Sequence, residues 1–446
     1  MERLWRSLSG LWEIKELRDR ILFTLIILFF YRVGTHIPVP GVNSHALVEY
    51  FRQALANTAF GMFDIFAGGA LSRAAIFGLG IMPYISASIV IQLLAATVPY
   101  FERLQREGEA GRRILTRYTR WLTVAISTIQ AIGITTFLTN LPPSPSGQLI
   151  VPNPGPLFVI STVISLVGGA ILLMWMGEQI TDRGIGNGAS VLIFAGSLES
   201  IPNEIISTYT LWKNGAIETP ALIFALTFFL LITGAVVAVT EVQRRVPISY
   251  AKRTVGLSPT TQTGYLPLTV NTAGVMPIIF AQSILLFPQT MLTGGGGKLE
   301  FMSGIAAMFQ PGTWLYDVTY AFLIIFFAYL YTSIMFNPKD VADNLQRSGA
   351  FIPGVRAGEE TAEYIDRILT RIIFPAAIFF ALVAIVPYHI SKAMNIPIYY
   401  GGTRLLIIVG VALDLLQKIN SYLVMYRYDS LLGKAKVRSW RTTGIG

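Results

Sequence analysis

Residues 61–94 read GMFDIFAGGALSRAAIFGLGIMPYISASIVIQLL. A run this apolar belongs in a core or a membrane, yet it is interrupted. Its first half carries Asp64, Gly68, Gly69, Ser72 and Arg73; its second half carries Pro83, Ser86, Ser88 and Gln92. An Asp or Arg at the centre of a membrane span costs roughly 2.5–3.5 kcal/mol. Residues 60–72 therefore read as an interfacial or re-entrant segment. A helix over 74–98 follows, long enough to cross a bilayer with some tilt at ~1.5 Å per residue.

The rest of the chain has the same character. Of its 446 residues, 53% are hydrophobic and only 13% are charged, against about 25% charged in soluble domains; the mean hydropathy is +0.57. Charges cluster between apolar runs of membrane length, which read as helices. The runs are continuous rather than alternating, which argues against a β-barrel. Ten spans are expected, near 21–34, 74–98, 121–139, 157–177, 188–202, 221–240, 270–292, 313–334, 372–388 and 403–424. The fold class is an all-α polytopic membrane protein.

Orientation follows from the basic residues. With the N-terminus in the cytoplasm, the cytoplasmic segments hold 26 of the 34 Lys and Arg. The other side receives Arg32, Arg52, Arg73, Lys213, Lys298, Lys392 and Arg404, and Lys418 lies within the last span. Both termini are expected inside. The net charge of +9 then reflects topology, with anionic phospholipids as the default partner. The first apolar run ends in Tyr31-Arg32-Val33-Gly34 without a small-residue cleavage site, so it reads as an uncleaved span. Before it, residues 1–20 place Leu4, Leu8 and Leu11 at helical spacing among basic residues, as in an interfacial amphipathic helix or one packed on a partner.

Little chemistry is on offer. There is no cysteine, and hence no disulfide, iron–sulfur or thiolate-zinc site. The three histidines, His36, His45 and His389, all fall in outer loops. The glycine-rich Gly184-Ile185-Gly186-Asn187-Gly188 follows a span rather than a strand, which argues against a nucleotide loop. No cofactor and no enzymatic activity are expected. Ten spans divide into two halves of five with opposite orientation, the layout of inverted-repeat transport proteins. Deep in a span only Asp414 and Lys418 are charged, four residues apart, as a local pair or an ion relay. Two long basic loops, 241–268 and 335–371, remain; the second sets Arg356 in a Gly/Pro turn near Phe351, as a docking tip or a solvated loop.

Six stretches carry a resemblance: GGALSRAAIFGLGIMPYISASIVIQLL (68–94), DRGIGNGASVLIFAG (182–196), ISYAKRTVG (248–256), PLTVNTAGVMPIIFAQSILLFP (267–288), RSGAFIPGVRAGEETAEYIDRILTR (347–371) and YYGGTRLL (399–406). In order, and over nearly the whole chain, they resemble the SecY family of bacterial protein-conducting channels. The resemblance implies two five-helix halves, 21–210 and 211–424, around an hourglass pore, with a cytoplasmic tail over 425–446. It implies that a plug half-helix at about 60–72 occupies the outer funnel, with Phe63, Asp64, Phe66, Gly68, Gly69 and Arg73 in or beside it. The pore ring maps to Ile81, Ile85, Ala189, Ile193, Ile279 and Ile407. Such a ring of branched apolar side chains excludes water and ions by dewetting and can yield around a passing chain. Ala189 is smaller than the family's usual residue there.

The resemblance further implies a lateral gate, with the helices at 74–98 and 121–139 facing those at 270–292 and 313–334. Ser86, Gln92, Asn271, Thr272, Gln282 and Phe287 are its candidate residues. Polar pairs across it would be weak, at ~0.6 kcal/mol each. Arg244, Arg245, Lys252, Arg253 and Arg356 match the surfaces that receive a SecA-like motor ATPase or the ribosome. The chain departs from the family at Thr254-Val255-Gly256-Leu257-Ser258-Pro259 and at Thr269, where basic residues are more usual; phosphate contacts to ribosomal RNA would be fewer. Further implied partners are SecE-like and SecG-like subunits, signal sequences and unfolded preproteins, in the bacterial cytoplasmic membrane. The alternative, from another class, is a secondary transporter for a small solute.

Overall fold

Inside a bilayer no water is available to backbone N–H and C=O groups, so each apolar run must satisfy them internally as helix. The computed structural model describes residues 14–55, 59–250, 263–269, 274–294, 308, 310–394 and 402–442. Each of the ten expected spans overlaps a helix. The helices are α1 (Lys15–Gly34), α2 (Ser44–Tyr50), α3 (Ala59–Phe66), α4 (Met82–Thr97), α5 (Pro99–Arg106), α6 (Glu109–Thr139), α7 (Pro156–Arg183) and α8 (Gly188–Glu199). They continue with α9 (Ile201–Lys213), α10 (Thr219–Glu241), α11 (Met276–Gly294), α12 (Trp314–Met335), α13 (Pro338–Arg347), α14 (Glu359–Ala393) and α15 (Gly402–Thr442). Among the described residues six helical stretches are long and apolar enough to cross a membrane alone; α4 and α5, bent by 97°, make a seventh if taken as one span.

The opening stretch shows why α4 falls short. The helix expected over 74–98 begins only at Met82, with Pro83 in its first turn. Residues 67–81 run in turns, with Gly68, Gly69, Ala74 and Gly80 at positive φ, which glycine adopts readily and which breaks a right-handed helix. At 16 residues α4 spans only about 24 Å. Pro99 then starts α5 and enforces the bend. Two other boundaries also moved. Lys15 to Arg20 are the first turns of α1 rather than part of a separate segment. At the other end, α15 carries the last span unbroken to Thr442, so the tail expected from 425 continues the helix.

The described parts of the long basic loops are folded. β1 (Gln243–Tyr250), β2 (Thr263–Thr269) and β3 (Ala350–Phe351) form an antiparallel sheet in the order β2-β1-β3. Val246 and Leu268 on the sheet, with Ile352 beside it, pack on Ile365, Leu369 and Ile373 of α14 in a satellite core. The sheet thus joins the two loops to each other and to a membrane helix.

At the end where α1 begins, Ile14, Leu17 and Ile21 pack with Leu415, Ile419 and Tyr422 of α15. Arg20 lies over the Tyr422 ring at 5.4 Å. The start of the first span and the far end of the last therefore share one side, as an even number of crossings requires. The main core lies midway, where α8 packs on α15 and α11 packs on α4 and α6.

Candidate functional site

The six residues expected to form a ring come from four places in the chain and meet in the main core. Ile81 caps α4 and Ile85 lies one turn further. Ala189 and Ile193 lie on α8, Ile279 on α11 and Ile407 on α15. All six are buried, Ile407 and Ile193 almost completely, in one apolar cluster. Ala189 is buried too, though at 7% exposed it is more open than the isoleucines. Its helix starts there because Asn187 caps it, accepting from the N–H groups of Ala189 and Ser190. The glycine-rich corner before it has a packing role: a Cβ on Gly188 would collide with the Gly177 carbonyl of α7.

On one side of this cluster sits α3, packed against α8 and α11. Phe60, Phe63 and Phe66 enter the same core as the ring. Asp64 caps the turn that follows, accepting from the Ser72 N–H at 2.8 Å. It lies outside the spans, and burial pushes its carboxyl up to about 6 against the pull of the Ser72 hydrogen bonds. Asp64 and Arg73 line a cavity of about 590 Å³ shared with Arg52, Glu199 and Asn203. A second cavity, of about 690 Å³, shares Arg52 and Arg73 with it and reaches His36 and His45. These charges thus line open recesses in the protein.

Sequence reasoning missed the carboxylates of this region. Glu199, at the end of α8, pairs with Arg32 at 2.6 Å and with Arg73 at 2.9 Å. Glu204 of α9 pairs with Arg404 of α15 at 2.6 Å, both side chains being more than nine-tenths buried. Arg404 also donates to the Ser197 carbonyl, one of those that the end of α8 leaves unpaired. A signal was present: the orientation expected from the sequence puts Arg32, Arg73 and Arg404 on the side that the positive-inside rule depletes. Cations there call for nearby carboxylates.

The helices expected to form the gate are in contact. α11 packs on both α4 and α6, and the Ser283 hydroxyl lies 3.3 Å from the Met82 sulfur across α4 and α11. The two described amides of the candidate gate set bond elsewhere. Gln92 donates to Ser88 one turn back in its own helix, and buried Gln282 donates to Tyr316 of neighbouring α12. A local partner costs less ordering than a distant one. Ser86 is half-buried on α4. Asn271 and Thr272 lie outside the described residues, and at Phe287 only the helical backbone is described.

Of the basic docking residues, Arg244 and Arg245 project from β1, both exposed. Arg356 is 87% exposed in the turn after β3, with only a loose 3.9 Å approach to Glu360. Lys252 and Arg253 lie outside the described residues, as do residues 1–13 of the amphipathic segment. Asp414 and Lys418 form a local pair at 3.2 Å, half-exposed.

Membrane-length helices that meet around a buried apolar cluster, with a short helix packed against it, define a polytopic helical membrane protein. Residues 75–416 match the sequence model of the SecY family. The chain is 45% identical over 426 residues to the protein translocase subunit SecY of Aquifex aeolicus, covering 95% of this chain and 98% of that one. It is 44% identical over 434 residues to the Escherichia coli subunit of the same name, covering 95% and 96%. The chain belongs to the SecY family. Its fold is similar to that of a solved protein-conducting channel (TM-score 0.64, 17% identity, 91% and 92% covered). It is equally similar to a structure described as showing that the plug domain of SecY stabilises the closed state and maintains a membrane seal (TM-score 0.64, 15% identity, 91% and 92% covered). A third likeness is to Sec61 in a canine ribosome-channel complex (TM-score 0.58, 17% identity, 91% and 92% covered).

Proposed function

We propose that this chain is a passive protein-conducting channel in the cytoplasmic membrane of a bacterium. It moves unfolded preproteins outward and releases apolar helices sideways between α4 or α6 and α11. The observation that carries this reading is the cluster: six apolar residues from four separate segments, all buried together, with α3 packed against α8 and α11. Side chains without directional bonds exclude ions at rest and separate around a polypeptide. On this reading α3 and the turn to Arg73 are the plug.

The energy comes from partners. Exposed Arg244, Arg245 and Arg356, on loops joined by one small sheet, suit a SecA-like motor or the ribosome. An apolar groove of about 520 Å³ between α9, α10 and α15 is lined by Ile205, Tyr209, Leu226, Phe229, Leu405 and Ile408. It bridges the two halves of the chain and suits a helix of a SecE-like subunit; a SecG-like subunit completes the assembly. The asymmetry of basic residues and the meeting of α1 with α15 support both termini lying in the cytoplasm.

The test is reconstitution in vesicles with SecE-like and SecA-like proteins. Protease-protected, ATP-dependent uptake of a signal-bearing preprotein is expected, with motor ATPase stimulated by that preprotein. Solute uptake without preprotein or motor would establish the transporter reading instead.

A further inference from the structure

Apolar packing is not the only thing holding the segment over the constriction. We propose that Glu199 is its anchor: the 59–73 segment stays closed because Arg73 is bound to the Glu199 carboxylate, and it leaves when that pair parts. This rests on the channel reading above.

Three observations converge on Glu199. The first is its place. A carboxylate in the last turn of a helix opposes the helix dipole, so Glu199 weakens α8 locally. A residue that breaks a local rule points to a compensating role. Here the compensation is two arginines from distant parts of the chain, both on the same carboxylate oxygen, with the Glu199 side chain only 8% exposed.

The second is the shape of the turn. Gly68 and Gly69 have φ of +66° and +69°. A Cβ on Gly69 would stand 3.0 Å from Glu199 Oε2 and 3.1 Å from Arg73 Nη1, and one on Gly68 would stand 3.2 Å from the Gly196 Cα of α8. The two glycines let the backbone lie directly against the last turn of α8, which brings Arg73 to the carboxylate.

The third is how the anchor point is itself held. Arg404 joins the end of α8 to α15 through the Ser197 carbonyl and Glu204. Ser197 lies one turn after Ile193, and Arg404 one turn before Ile407. The anchor and the constriction are therefore built on the same two helices. The pair can also open. It is a single bond, with Arg73 Nη1 and Glu199 Oε2 buried without hydrogen-bond partners among the described residues. When Arg73 leaves, Arg32 remains on the carboxylate, so release does not strand a buried charge, the costly case.

The absence of cysteine makes the test direct. Ala67→Cys, buried in the turn after α3, reports exposure of the segment to a maleimide in lipid nanodiscs. Leu47→Cys, equally buried in α2 outside the anchor, reports general loosening. Glu199→Gln should speed labelling at Ala67→Cys by about tenfold or more and leave Leu47→Cys unchanged. Glu199→Asp should restore most of the protection. Gly69→Ala, which wedges the turn without removing a charge, should act like Glu199→Gln and decides the matter if that variant does not fold. Unchanged labelling at Ala67→Cys, or an equal rise at Leu47→Cys, overturns the anchor. Resting conductance in planar bilayers is read separately: faster labelling without current supports the anchor and refutes the sealing role of the segment.

Discussion

Arg404 Nη1 stands 2.6 Å from Glu204 Oε1, joining α15 to α9 with both side chains more than nine-tenths buried. Removing one partner of a buried pair leaves an uncompensated charge and costs about 3–5 kcal/mol. Glu204→Leu and Arg404→Met should each lower the thermal unfolding midpoint in detergent. The double variant should lose less than the sum, with a coupling of about 0.5–3 kcal/mol. It should still fall below the parent, because the Ser197 carbonyl loses its donor, at about 1–3 kcal/mol. Strictly additive losses would show that the two side chains act independently.

The constriction can be tested by enlarging it. Deleting residues 60–72 should give intermittent ion currents in planar bilayers, since the ring remains. Replacing Ile81, Ile193, Ile279 and Ile407 by Gly in the same variant should make the current continuous. Each isoleucine is buried, and truncating even one to Ala costs about 2–5 kcal/mol, so protein abundance must be measured alongside. Equal, negligible currents in all variants would place the conducting path elsewhere.

Met82 and Ser283 meet across α4 and α11 at 3.3 Å between sulfur and hydroxyl. Met82→Cys with Ser283→Cys should crosslink under mild oxidant, free of competing thiols. On the gate reading, that bridge stops a signal helix from passing between the helices. Protease protection of a preprotein should fall when the pair is oxidised and recover on reduction. Full crosslinking with unchanged translocation would remove α4 and α11 from the gate.

Arg356 has little to lose from substitution as far as the fold is concerned, being 87% exposed. Arg356→Glu should change stability by no more than about 0.5 kcal/mol. It should sharply reduce motor-driven translocation by setting a like charge against an acidic partner surface. Export at the normal rate and normal abundance would exclude that turn as a docking point.

Several features of this protein were legible in the residues alone, because they depend on composition and local geometry. Membrane helices must be apolar for about 20 residues, so the ten runs showed themselves, and the skew of Lys and Arg supplied an orientation. The interruption at 61–94 was also legible: Asp64, Arg73 and the paired glycines could not sit in lipid as a simple span. The resemblance named the six ring residues by position, and all six are found together in one buried cluster.

What only the tertiary structure decided is who meets whom across long separations. Glu199 and Glu204 have no local signature, and their partners lie at Arg32, Arg73 and Arg404; the pairing exists because α8 ends, and α9 begins, beside α1, the turn after α3, and α15. Gln92 and Gln282 were legible as polar groups on membrane helices but not in their choice of partner, because the nearer acceptor on the same or an adjacent helix costs less entropy to reach. The late start of α4 needed the fold as well. Residues 74–81 are apolar enough for helix, but the positive-φ turn closing onto α8, with its ion pair, takes the chain out of helical geometry until Pro83 restarts it. Local physics sets which segments enter the membrane. Desolvation decides the rest, since a charge buried there is stable only where the folded chain brings it an opposite one.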